Sequence, residues 1–169
     1  MTPRRLRTSL LWLVFSLALS GCGASNNPPP SGSISIAPAS ITWNFPATTS
    51  IAAASVEFQP VVITVKDSNG IPLKGVNVIV SLDLSPGTST TPAMGLYLSD
   101  STTGQMIAPI NTPTNLTTND AGVIDLFIGM SLGGTASYAG VLYAYSGSLM
   151  TTAQMTATCQ SVTGGTQCN

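Results

Sequence analysis

A chain of 169 residues with five lysines and arginines, six aspartates and glutamates, and no histidine excludes several functions at once. Without imidazole it lacks the commonest metal ligand and general base, and a Ser-His-Asp triad is impossible. Arg4, Arg5 and Arg7 are three of the five cations; beyond them only Lys66 and Lys74 stand against Glu57, Asp67, Asp83, Asp100, Asp120 and Asp125, too few to neutralise a row of phosphates, so a nucleic-acid partner is excluded.

The first segment is an address. Arg4, Arg5 and Arg7 form a basic leader region, and Leu10 to Leu19 is an apolar run too short to cross a bilayer of about 30 Å as a helix. Leu19-Ser20-Gly21-Cys22 follows and resembles the bacterial lipobox. That resemblance implies a lipoprotein signal peptide over residues 1–21, removed so that Cys22 becomes a lipidated N-terminus, its sulfur carrying diacylglycerol. Several acyl chains make such an anchor stable. Gly23 stands where an aspartate would often signal inner-membrane retention, so the resemblance favours the outer membrane, on either face. Residues 22–33 then form a Pro/Gly/Ser linker around Pro28-Pro29-Pro30, reaching at most about 35–40 Å when extended.

From residue 34 to residue 158 the apolar residues alternate with period two, and no helical stripe interrupts them. Short strands are expected at Ser33–Ile36 and Ile41–Phe45. Val61, Ile63 and Val65 share one face of the next, opposite Val62, Thr64 and Lys66. Val76, Val78, Val80, Leu82 and Leu84 alternate with Asn77, Ile79, Ser81 and Asp83, and a weaker strand fits Met94–Leu98. Ile124, Leu126 and Ile128 alternate with Val123, Asp125 and Phe127; Leu142 and Ala144 oppose Val141, Tyr143 and Tyr145; a last strand runs from Leu149 to Thr158. Seven or eight such strands separated by turn signals predict an all-β antiparallel sandwich. A Ser/Thr/Pro-rich excursion, residues 85–118, interrupts the pattern.

The turn chemistry carries a second likeness. Asp67-Ser68-Asn69-Gly70-Ile71-Pro72-Leu73-Lys74-Gly75-Val76-Asn77-Val78 and Thr118-Asn119-Asp120-Ala121-Gly122-Val123 resemble the paired turns of bacterial Ig-like domains of the invasin and intimin type, with Leu142-Tyr143-Ala144 in the place of their late strand. The resemblance implies an Ig-like β-sandwich over residues 34–158, in a class whose members are mostly stalk or display modules of surface proteins. The 85–118 excursion departs from that compact pattern.

Candidate chemistry is sparse. Asp67, Asn69, Asp100, Asn119 and Asp120 are oxygen-bearing turn residues, and Asp67-Ser68-Asn69-Gly70 begins like an EF-hand loop. No glutamate follows at position twelve, however, and a turn needs only Asp or Asn capping its own backbone with Gly70 at positive φ. No metal or cofactor is expected. With Cys22 committed to lipid, Cys159 and Cys168 remain as an even pair in an oxidising compartment, which predicts a structural disulfide closing a loop in the 159–169 tail. The C-x8-C spacing is too wide for a redox motif. Asn115-Leu116-Thr117 is a glycosylation sequon by pattern alone. Phe127, Tyr143 and Tyr145 fall on the outer phase of their strands; if those strands adjoin, they make an exposed aromatic stripe for a partner protein or a glycan, the plainer alternatives being ordinary cross-strand pairing or cover from the long loop. The expected function is non-enzymatic: an envelope lipoprotein presenting its sandwich for adhesion or as an accessory subunit with a protein partner, the alternative being a tethered carbohydrate-binding module.

Overall fold

The computed structural model of the chain describes residues 27–29, 31–48, 56–84, 93–98, 105–131, 138–160 and 167–168. The expected signal peptide, Cys22 and Asp100 lie outside them, as do residues 85–92 and 99–104 of the excursion. Among the described residues there is no helix. The strands are β1 (Ser33–Ala37), β2 (Ser40–Thr48), β3 (Glu57–Lys66), β4 (Asn77–Leu84), β5 (Ala93–Tyr97), β6 (Met106–Pro109), β7 (Thr114–Thr117), β8 (Val123–Ser131), β9 (Tyr138–Ser146), β10 (Leu149–Gln160) and β11 (Gln167–Cys168).

They form two sheets, of order β1-β3-β8-β5-β6 and β11-β2-β10-β9-β4-β7. The molecule is an Ig-like β-sandwich. All pairings are antiparallel except β2 with β10, which run parallel from Ser40 opposite Gln154 to Pro46 opposite Gln160. The exception follows from how the chain starts: after β1 it crosses at Pro38-Ala39 to the other sheet without reversing, and the Ala39 carbonyl accepts from Gln154 N–H at 3.0 Å. Hydrophobic alternation locates strands and faces but carries no direction, so this parallel pair is not visible in the pattern.

The alternation is realised closely. Val61, Ile63, Val65, Val78, Val80, Leu82, Ile124, Leu126, Ile128, Leu142 and Ala144 all face the interior. Trp43 and Phe45 are the largest of the completely buried side chains. Room for Trp43 comes from Ala157, its partner across β2 and β10, which in turn pairs with buried Tyr138 on β9. A small residue between two large ones fills the layer without strain. The Trp43 Nε1–H donates to the Glu57 carbonyl at 3.3 Å, so the indole's one polar group is satisfied inside the core.

Eleven strands replace the seven or eight expected, because the excursion holds two more. From β5 the chain turns back as β6 on the edge of the first sheet, with a register shift between Leu96 and Tyr97. It then crosses, Asn111 N–H bonding the Leu82 carbonyl at 2.7 Å, and adds β7 to the edge of β4 in the second sheet. β11 is the third addition, paired with the end of β2.

Candidate interaction surface

The turns between β3 and β4 and between β7 and β8 lie side by side at one end of the sandwich and share one geometry. In the first, Asp67 Oδ1 accepts from Asn69 N–H at 2.8 Å and Ile71 N–H at 2.9 Å, while Gly70 N–H returns to the Asp67 carbonyl at 3.1 Å. In the second, Asn119 Oδ1 accepts from Ala121 N–H at 2.9 Å and Val123 N–H at 3.2 Å, and Gly122 N–H returns to the Asn119 carbonyl at 2.9 Å. The glycines stand at φ 80° and 72°, where L side chains are strained. A carboxylate in one turn and a neutral amide in the other hold the same pattern, so the acceptor oxygen and not the charge is what the fold uses. Asp120 pairs with Lys74 at 3.5 Å, both exposed. Among the described residues no three His, Cys, Asp or Glu side chains gather as metal ligands.

The two turns are locked together by Thr118. Its hydroxyl donates to the Leu73 carbonyl at 2.7 Å and accepts from Val76 N–H at 3.0 Å. Gly122 packs so closely on Pro72 that a Cβ there would lie 2.5 Å from the proline Cβ.

The three candidate aromatics do not form one stripe. Phe127 lies on β8 in the five-stranded sheet, whereas Tyr143 and Tyr145 lie on β9 in the six-stranded one. Phe127 is opposite Pro60 and Tyr97. Beside it, Phe58 and Tyr97 meet edge to face at 5.1 Å over Gly129, where a Cβ would come within 2.6 Å of the Tyr97 ring and 2.9 Å of the Phe58 ring. Met106 covers Gly95 in the same way. These side chains lie over glycines that leave the sheet surface bare, and they serve the sheet itself.

Tyr143 and Tyr145 belong to an open surface. Their rings are nearly parallel, 8° apart with centroids at 5.9 Å. Across the sheet Tyr145 is opposite Ile79 on β4 and Met150 on β10, which makes a row over three strands. All three are exposed, Ile79 by 47%, Tyr145 by 37% and Met150 by 60%. The row below runs Ser81, Tyr143, Thr152. Polar residues continue the face on either side, with Thr42 and Thr156 in contact at 3.4 Å, and Thr158 donating to Asn44 at 2.8 Å. Asn115, the sequon residue, is exposed on edge strand β7 opposite Ile79. Ile79 and Met150 escape a search for aromatics. Their outward phase in strands whose other outward residues are mainly polar is the signal that could have found them.

The backbone pairs Cys159 with Phe45 and Cys168 with Ala47, so the two cysteines are registered two residues apart along β2.

No family model and no curated protein matches this sequence. Solved structures similar to it include WR4, an MSP family member of C. elegans, at 11% identity and a TM-score of 0.38, covering 75% of this chain and 97% of that one. A conjugative transposon lipoprotein from Bacteroides eggerthii is similar at 6% identity and a TM-score of 0.39, over 75% of this chain and 98% of the other. A family 123 glycoside hydrolase from Clostridium perfringens matches at 11% identity and a TM-score of 0.40, over 78% of this chain and 28% of the hydrolase. Likeness at this level says nothing of activity.

Proposed function

We propose that the chain is a non-enzymatic, lipid-anchored envelope protein, held at the outer membrane through Cys22, whose Ig-like sandwich presents the outer face of its six-stranded sheet to a protein partner. The observation that carries the binding surface is the exposed row Ile79, Tyr145, Met150 with Tyr143 stacked beside it. An apolar centre containing tyrosine and methionine and rimmed by threonine and asparagine has the composition of a protein interface. The row carries no charge, so the matching patch on the partner is an uncharged apolar one with hydrogen-bonding groups at its margin. A carbohydrate platform is the second reading, but a sugar ring stacks on an open aromatic face. Here the two tyrosines face one another, and Ile79 and Met150 flank Tyr145 in its row. The likeness of the turns to invasin- and intimin-type domains supports a display role and leaves the partner open.

Replacing Tyr143 and Tyr145 by Ser tests the reading. Both sit outside the core, so the double variant keeps its folding transition and loses the partner recovered by mild crosslinking of intact cells. An unchanged crosslinking pattern overturns the protein-binding surface; retained protein capture with lost binding on a glycan array would support the carbohydrate reading.

A further inference from the structure

The segment expected to be a free tether is partly built into the sandwich. Pro28 is buried. Asn27 and Pro28 lie against the β9–β10 turn, their Cβ and Cδ atoms 3.7 and 3.8 Å from where a Gly147 Cβ would be. Gly32 N–H then closes a turn onto the Pro29 carbonyl at 2.8 Å, and Gly32 itself is so tight against Lys66 that a Cβ would lie 2.6 Å from the Lys66 carbonyl oxygen. The same Cβ would lie 3.6 Å from Leu149 Cδ1. From this docked turn the chain enters β1, Ser33 opposite Lys66.

We infer that this docking orients the domain on the bilayer, with the end bearing the Asp67, Asn119 and Gly147 turns facing the lipid headgroups. The inference rests on lipidation at Cys22. Only Gly23 to Asn26 separate Cys22 from Asn27, so the free tether reaches at most about 18 Å. The longest strand, β10, runs from Leu149 to Gln160, about 40 Å at the rise of an extended chain. A tether of 18 Å cannot turn a 40 Å body upside down; an undocked tether reaching to Ser33, about 40 Å, would allow either end to approach the membrane. Docking is thus what selects the orientation.

Charge leaves the choice to the tether. Lys66 and Lys74, the two cations beyond Arg7, are both at the tethered end, but Asp67, Asp120 and Asp125 are there with them. Glu57 and Asp83 lie near the other ends of β3 and β4, so both ends carry an excess of acid and an anionic leaflet strongly favours neither. In this orientation the strands stand away from the surface, and the Ile79–Tyr145–Met150 face looks sideways along the membrane. That suits a partner also held at the same membrane.

The test uses the mature lipoprotein in vesicles of phosphatidylethanolamine and phosphatidylglycerol containing a headgroup-nitroxide lipid. With the N-terminus acylated, Lys66 and Lys74 are its amines. Labelling is done in detergent before reconstitution, because phosphatidylethanolamine is itself a primary amine, and Lys66→Arg then leaves Lys74 as one attachment point for an amine-reactive fluorophore at the near end. Lys66→Arg, Lys74→Arg and Asn44→Lys together move it towards the far end; if that variant fails to fold, Thr156→Lys replaces Asn44→Lys. Quenching is expected to be several-fold stronger at position 74 than at position 44. Inserting eight Gly/Ser residues between Asn26 and Asn27 should bring the two towards equality. Equal quenching at both positions with the native tether, in protein that floats with the vesicles, overturns the orientation and leaves the anchor standing. Failure to float overturns the anchor, and the orientation with it.

Discussion

Thr118 shows how much one hydroxyl decides at the turn end. It is 4% exposed, and its partners, Leu73 and Val76, are more than forty residues away in sequence. Thr118→Val keeps the volume and strands a half-buried carbonyl and a buried N–H. Such losses cost about 1–3 kcal/mol, seen as a lower urea midpoint at unchanged slope, whereas Thr118→Ser should recover most of it. The glycines separate two further effects. Gly70 and Gly122 both have positive φ, but a Cβ at Gly70 meets nothing within 4 Å while one at Gly122 meets Pro72 and the Leu73 backbone. Gly70→Ala should therefore cost only the backbone term, about 1–2 kcal/mol, and Gly122→Ala distinctly more; equal midpoints would refute the packing argument. Asp67 belongs to the same set. Because Asn119 does the same work with an amide, Asp67→Asn should leave the thermal midpoint unchanged with or without calcium, while Asp67→Ala should lower it by losing two backbone caps, about 1 kcal/mol. The capping role of Asp67 and the glycine turn were legible in the sequence, because the bonds stay within five residues. Thr118's role was not: it depends on a neighbour that only the folded topology brings close.

The strands were legible wherever their side chains divide between core and water, and illegible where they do not. β3, β4, β9 and β8 as far as Ile128 alternate because one face of each meets the opposing sheet; beyond Ile128 both faces of β8 are covered. β6 and β7 are four residues each, drawn from Met106-Ile107-Ala108-Pro109 and Thr114-Asn115-Leu116-Thr117. Each sits on a sheet edge and buries too little for a pattern to emerge from Ser, Thr and Pro neighbours. Both are held by ladder bonds, which any sequence can supply. The same limit separates Phe127 from the tyrosines, since period-two phase gives the face of a strand but not the sheet that contains it. At the chain's end, the proposed disulfide is a prediction about an element, since it would fix two-residue β11 beside β2. Non-reducing digestion should yield Cys159 and Cys168 in one bridged peptide, and reduction should lower stability by about 2–3 kcal/mol at most for so short a loop. Two alkylatable thiols in the oxidised, unfolded protein would rule the bridge out.

At the scale of the whole molecule, the folded part offers no imidazole and two cations, and the proposed function accordingly rests on a sheet face and on the proposed attachment point. The sheet face needed the structure, because β4, β9 and β10 become neighbours only in the fold. The proposed attachment point rests on the sequence alone, on a basic leader, an apolar run and a lipobox-like tetrapeptide ending at Cys22. Anchoring therefore makes the last prediction. Among the described residues no helix is long and apolar enough to cross a membrane, and so sparse a set of cations gives little electrostatic hold on an anionic leaflet. Acyl chains contribute about 0.8 kcal/mol per buried methylene, far more than any surface of this sandwich. Cys22→Ala, expressed behind an ordinary cleavable secretory leader so that no uncleaved leader retains it, should move the protein from the membrane fraction to the soluble fraction with its thermal midpoint unchanged. Full retention in the membrane fraction would mean that the sandwich is held by a partner or a lipid-binding face, and that Cys22 is not the anchor.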